Sequence, residues 1–197
     1  MSLSVKETGS IKMISPGTYP GRCVRVIDIG TQHSNYQGKE MVKKQVIVSW
    51  ELPNEIIPDG DYAGMPYMVS KFYTASLHEK ANLRKDLEAW RGKSFTASEL
   101  EGFDLKKVIG APCMLSVIHD NDKTKINAVM ALPKGMELIK QISESIFFDI
   151  DEWNDENFNK LTDGIKKIIM KADEYKFPNE GVDHDNAPPI GDDDILF

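Results

Sequence analysis

Apolar and polar side chains alternate through five runs in the first 135 residues, and Gly, Pro, Asn or Asp sits at most of their ends. "GRCVRVIDIG" (21–30) and "VKKQVIVSWEL" (42–52) are rich in β-branched residues. "PYMVSKFYTASL" (66–77), "PCMLSVIHD" (112–120) and "KTKINAVMAL" (123–132) have the same character. A period of two over such lengths predicts strands covered on one face. Asn121 and Asp122 separate the last two runs and favour a tight hairpin. Between the third and fourth runs the period becomes helical. In "SLHEKANLRKDLEAWRG", Leu83, Leu87 and Trp90 fall at i, i+4 and i+7, Ser76 and Glu79 have capping-box spacing, and Gly92 is placed to end the helix.

The order β-β-β-α-β-β predicts a mainly β protein. It is the order of the OB-fold, a five-stranded, partly open barrel with a helix between strands three and four. A five-stranded antiparallel sheet packed on one helix is the alternative; a first strand long enough to pair with two neighbours favours the barrel. Beyond residue 135, "SIFFDID" suits one more strand. "NDENFNKLTDGIKKIIMKADEY" places Phe158, Leu161, Ile165, Ile168 and Ile169 on one helical face, with acids early and lysines late. The expected organisation is an OB-fold domain over 1–150, an amphipathic helix over 151–178 that packs on the barrel or on a second subunit, and an acidic tail over 179–197.

Charge sharpens this division. The net charge is −7, yet residues 1–135 hold 18 Lys+Arg against 15 Asp+Glu, while residues 136–197 hold 6 against 16. A mildly basic body with an acidic C-terminal third fits a body that binds a polyanion. From Asn179 onward six acids stand with no Lys or Arg, among Gly181, Pro188, Pro189 and Gly191. A segment with so little apolar area is expected to be disordered. It ends in Asp192, Asp193, Asp194, Ile195, Leu196 and Phe197, an acidic run followed by an apolar hook, which has the character of a docking peptide.

No apolar run approaches the roughly 20 residues needed to span a bilayer, and "MSLSVKETGS" lacks an apolar signal core. The expectation is therefore a cytoplasmic protein with no membrane partner. Cys23 and Cys113 are expected to be buried thiols.

No catalytic constellation is visible, so no enzyme and no cofactor are expected. His33, His78, His119 and His184 have no metal-ligand spacing. Asp149, Asp151, Glu152, Asp155 and Glu156 are better read as a solvated turn before a helix than as a divalent-metal site. What the strands offer instead is interleaved aromatic and basic residues. Tyr67, Lys71 and Tyr73 share one face of strand three, Lys43 and Lys44 begin strand two, which continues to Trp50, and Arg22, Arg25, Tyr36, Lys123 and Lys125 lie around them. Rings that stack on bases beside cations that follow phosphates make a groove for single-stranded nucleic acid without sequence preference. Phe72 and Trp90 are read as core, and Trp50 is divided between core and groove.

An OB-like body with a tail ending in Asp192–Asp194, Ile195 and Phe197 resembles the single-stranded DNA-binding proteins of replication, with Leu196 where their bacterial members usually carry proline. "SKFYTASLHEKANLRKDLEAWRGKSF" and "DLKKVIGAPCMLSV" look like the bacteriophage-encoded OB-fold members. The resemblance implies binding and protection of single-stranded DNA in replication, recombination and repair, with the tail recruiting replication or repair proteins. A protein-interaction adaptor and a strand-annealing recombination protein are the competing readings. A homo-oligomer is compatible with either.

Overall fold

The structure, a computed structural model, describes residues 13–121, 123–137 and 140–175. Its elements in chain order are β1 (Gly17–Tyr36), β2 (Lys39–Ile56), β3 (Pro66–Thr74), α1 (Asn82–Arg91), α2 (Ala97–Glu101), a 3₁₀ turn (Leu105–Val108), β4 (Pro112–Asp120), β5 (Lys123–Met130), β6 (Ile146–Phe148), α3 (Asp155–Asn159) and α4 (Asp163–Ile169). The protein is mainly β. Its strands form one unclosed sheet in the order β3-β2-β1-β4-β5, antiparallel along this path, with β6 added parallel to β1.

The length of β1 organises the sheet. Gly17–Arg22 pairs with β4, Arg22–Tyr36 pairs with β2, and Arg25–Ile27 pairs with β6 on the side that β4 has left. Irregular register at Cys23/Arg25 and Asp28/Gly30 bends the strand where it changes neighbours. The end strands β3 and β5 come near each other without a ladder between them, and α1 contacts both. Leu83, Leu87 and Trp90 of α1 are buried there, as their spacing predicts.

Two cores result, one on each face of the sheet. The inner core joins Cys23, Val26, Val48, Trp50, Val69, Tyr73, Leu115 and Val129 to the buried face of α1. The outer core joins Ile27, Ile29 and Ile47 to Ile146, Phe148, Leu161, Ile165, Ile168 and Ile169. The C-terminal segment therefore packs on the sheet itself. At Gly30 (φ +70°) it passes so close that a Cβ would lie 2.6 Å from that of Ala172, which only glycine permits.

Three expectations need correction. The helix of residues 76–92 begins only at Asn82; its N-cap Ala81 has no side-chain cap, and the Ser76 hydroxyl accepts instead from the His78 N–H. The capping box belongs to α2, where Thr96 and Glu99 satisfy each other's backbone N–H groups. The single amphipathic helix is two short ones. Asn154 caps α3 through the Asn157 N–H, and the chain re-enters helix at Thr162, whose extended backbone starts a second N-terminus. Leu161 between them is buried, so the apolar stripe survives the break.

The β1–β2 strands also run well past the predicted limits, meeting in a two-residue turn at Gln37 and Gly38, both with positive φ. No helix among the described residues is long and apolar enough to cross a membrane. The tail, with Asp192, Asp193, Asp194, Ile195, Leu196 and Phe197, lies outside the described residues.

Candidate nucleic-acid interface

Register sorts the expected site residues onto the two faces of β1–β2–β3. Cys23, Trp50 and Val69 form one row across the sheet, and Val26, Val48 and Lys71 another; with Tyr73 opposite Val46 these belong to the inner face. Arg22–Glu51–Met68, Arg25–Ser49–Ser70 and Ile27–Ile47–Phe72 are the outer rows. Tyr67, Lys71 and Tyr73 do share a face, but it is the one turned toward α1.

That placement corrects the reading of the aromatic residues. Tyr73 is 3% exposed and Trp50 1% exposed, the latter with its ring centroid 5.8 Å from that of Trp90. Neither has a ring face to give a base. Lys71 and Tyr73 converge on α1: the ammonium and the phenol each donate to Asp86 Oδ2 at 2.7 Å. Burial, and then the adjacent Asp86 carboxylate, push the Tyr73 phenol far above its ordinary pKa. Tyr67 is half-buried against the same core, its phenol raised first by burial and then by Asp59 and Glu55.

On the outer face Ile47, Ser49 and Glu51 of β2 are buried, and the exposed positions lie on β3. Phe72, expected in the core, is 39% exposed. The neighbouring row carries Ser49 and Ser70, joined by a 2.6 Å hydroxyl hydrogen bond, and half-buried Arg25, whose guanidinium burial shifts downward. Arg22 Nη1 donates to the Gly110 carbonyl at 2.6 Å, and the Nε atoms of Arg22 and Arg25 have no hydrogen-bond partner among the described residues. Fully buried Glu51 receives the N–H groups of Ile142 and Ser143 at 2.8 and 2.7 Å, drawing the chain after β5 over this end of the face.

Two hairpins supply the remaining candidates. The β1–β2 arm carries exposed Lys39 and Lys43; the Tyr36 side chain lies outside the described side chains. Lys44 is engaged with Asp28 at 3.1 Å and Asp151 at 2.6 Å. Burial opposes its charge, but the two carboxylates outweigh burial and hold the ammonium above the ordinary lysine range. On the β4–β5 hairpin Lys123 is half-buried, and exposed Lys125 pairs with Asp120 at 3.0 Å.

Asp28, Asp149 and Asp151 bring carboxylate oxygens within 4.8 Å of one another, but the Lys44 ammonium already sits against two of them. Asp155 accepts from the Trp153 indole and Glu156 pairs with Lys160, so neither joins that cluster. His33 lies between Glu40 and Asp173, the His78 Nδ1 accepts from the Lys80 N–H, His119 bonds to the Ile14 carbonyl, and His184 lies outside the described residues. Cys23 and Cys113 are buried free thiols, their pKa values driven up by burial.

No family model matches this chain, and neither a curated protein nor a solved structure does. The site rests on its own geometry. Sequence reading missed Phe72 because alternation defines two faces without saying which is covered. Phe72 is in phase with Ser70 and Thr74, but the charge of Lys71, in phase with Val69 and Tyr73, masked that signal.

Proposed function

We propose that the protein binds single-stranded DNA without sequence preference along the outer face of the end strand β3, beside the part of β2 that the C-terminal layer covers, with the lysine-bearing β1–β2 and β4–β5 hairpins following the strand. On this reading the curled sheet is an OB-like, partly open barrel: β1 divides its pairing between β2 and β4, and α1 stands where β3 and β5 converge. In that architecture the strand 2–3 face and the two hairpin loops are the oligonucleotide surface. The observation that carries the proposal is the exposed Phe72 ring, next to the row of Arg25, Ser49 and Ser70. A ring there stacks on any base, and Lys39, Lys43 and Lys125 follow the phosphates. The acidic tail recruits replication or repair proteins, as the resemblance to bacteriophage-type single-stranded DNA-binding proteins implies.

The test is anisotropy of labelled oligo(dT) with the full chain across a salt series. Affinity should fall steeply with salt. Phe72→Ala should weaken binding by about 1–3 kcal/mol, the range for loss of one stacking ring, while Tyr73→Phe leaves affinity unchanged. Deleting residues 190–197 should preserve or strengthen it. Unaltered binding by Phe72→Ala would remove this face from the site, and no binding at about 50 mM salt, where phosphate contacts are strongest, would end the DNA reading.

A further inference from the structure

On the side of the molecule where α1 ends, a second concave surface is independent of the nucleic-acid reading. A cleft of about 380 Å³ opens between the end of α1, α2 and the 3₁₀ turn. Trp90, Phe103, Val108, Ala111 and Pro112 give it an apolar lining, Arg91 and Lys107 give it two cations, and Glu99 gives it one carboxylate. The lining is fixed in place. The Trp90 indole N–H donates to the Pro112 carbonyl at 2.7 Å, and the Phe103 ring meets Phe95 edge-on at 5.1 Å.

Both cations lie over Phe103, Arg91 at 5.1 Å and Lys107 at 6.0 Å from the ring centroid. Arg91 pairs with Glu99 through Nη2, while its buried Nη1 has no hydrogen-bond partner among the described residues. With Glu99 paired to Arg91, the edge of this apolar pocket keeps a net positive charge, carried outward by exposed Lys107, and calls for an apolar or aromatic side chain preceded by carboxylates.

Carboxylates also precede Trp153 and Phe158, but those rings pack in the outer core; outside the described residues the chain carries a segment of that composition in Asp192–Asp193–Asp194–Ile195–Leu196–Phe197. We infer that this segment docks in the cleft of its own chain, with Ile195, Leu196 or Phe197 against Phe103 and Val108 and the aspartates toward Arg91 and Lys107. The chain between Tyr175 and Asp192 is long enough. Sixteen intervening residues span up to roughly 55 Å at about 3.3 Å each, against a radius of gyration of about 15 Å for a domain of this size. Docked there, the segment is withheld from other proteins, so the cleft is a resting place from which a partner must win it.

The proposal is tested with a labelled peptide, PPIGDDDILF, and the full chain in the absence of DNA. The double variant Ile195→Ala/Phe197→Ala leaves the cleft open and should bind the peptide. The wild-type chain should bind it more weakly: an in-cis segment at an effective concentration of about 1 mM weakens a peptide of ~100 µM affinity about tenfold. Adding Lys107→Glu to the double variant, a change at an exposed position, should reduce peptide binding at least fivefold, and Phe103→Ala should do the same. Equal binding by wild type and double variant, or undiminished binding with Lys107→Glu, would overturn the proposal. Competition in the wild type that grows with protein concentration would also overturn it, because the segment would then occupy a second copy.

Discussion

His33 shows how a single exposed side chain ties distant parts of this chain together. Its Nε2 faces Asp173 at 2.9 Å and its Nδ1 faces Glu40 at 3.2 Å, linking β1 to β2 and to the segment after α4. Asp173 and then Glu40 raise the imidazole pKa above its ordinary value. A raised folded pKa means that protonation favours the folded state: the contribution is complete below about 6.5, the unfolded value, and fades as pH rises through the folded one. Wild type should therefore exceed His33→Gln in urea midpoint at pH 5.5, and the two should converge by pH 9. A difference independent of pH would mean that the ion pairs contribute nothing measurable.

At the next scale, strand and helix explain what the sequence disclosed and what it withheld. The β4–β5 hairpin was legible because Asn121 and Asp122 separate two alternating runs; Asp120 indeed pairs with Lys123. The outer half of the β1–β2 hairpin was not, because residues 31–36 are Thr, Gln, His, Ser, Asn and Tyr. They lie beyond the β3 ladder, which stops at Gln45 and Thr74, so no apolar core face marks them. Strand β3 was assigned the right alternation and the wrong outside, because Lys71 reads as a solvent residue until Asp86 of α1 is seen beside it. Asp86 holds both Lys71 and the Tyr73 hydroxyl, so Asp86→Ala leaves two polar groups in a partly buried site without their acceptor. A loss of about 2–4 kcal/mol is expected in chemical denaturation, in the range for stranding a buried partner. Lys71→Met in the Asp86→Ala background should recover part of it, which a purely helical effect of the alanine would not allow.

Across the whole molecule, the two cores share β1 and β2. Val26 and Val48 face inward, while their neighbours Ile27 and Ile47 face outward against Ile165 and Ile169. The C-terminal layer thus closes an apolar surface that the sheet would otherwise leave open, and Thr31 adds two 2.7 Å hydrogen bonds to Glu174. Such sharing makes the layers cooperate, because losing one exposes the strands on which the other is built. Tryptophan positions allow this to be measured: Trp50 and Trp90 report the inner side, and Trp153, with its ring 5.2 Å from Phe148, reports the outer. Ile169 is fully buried, and Ile169→Ala should cost about 2–5 kcal/mol. In chains keeping either Trp153 alone or Trp50 and Trp90 alone, the change should lower the urea midpoint equally for both reporters. If the Trp153 signal were lost first, the C-terminal layer would be a separately melting cover, and the sheet would owe its stability to the inner core with α1.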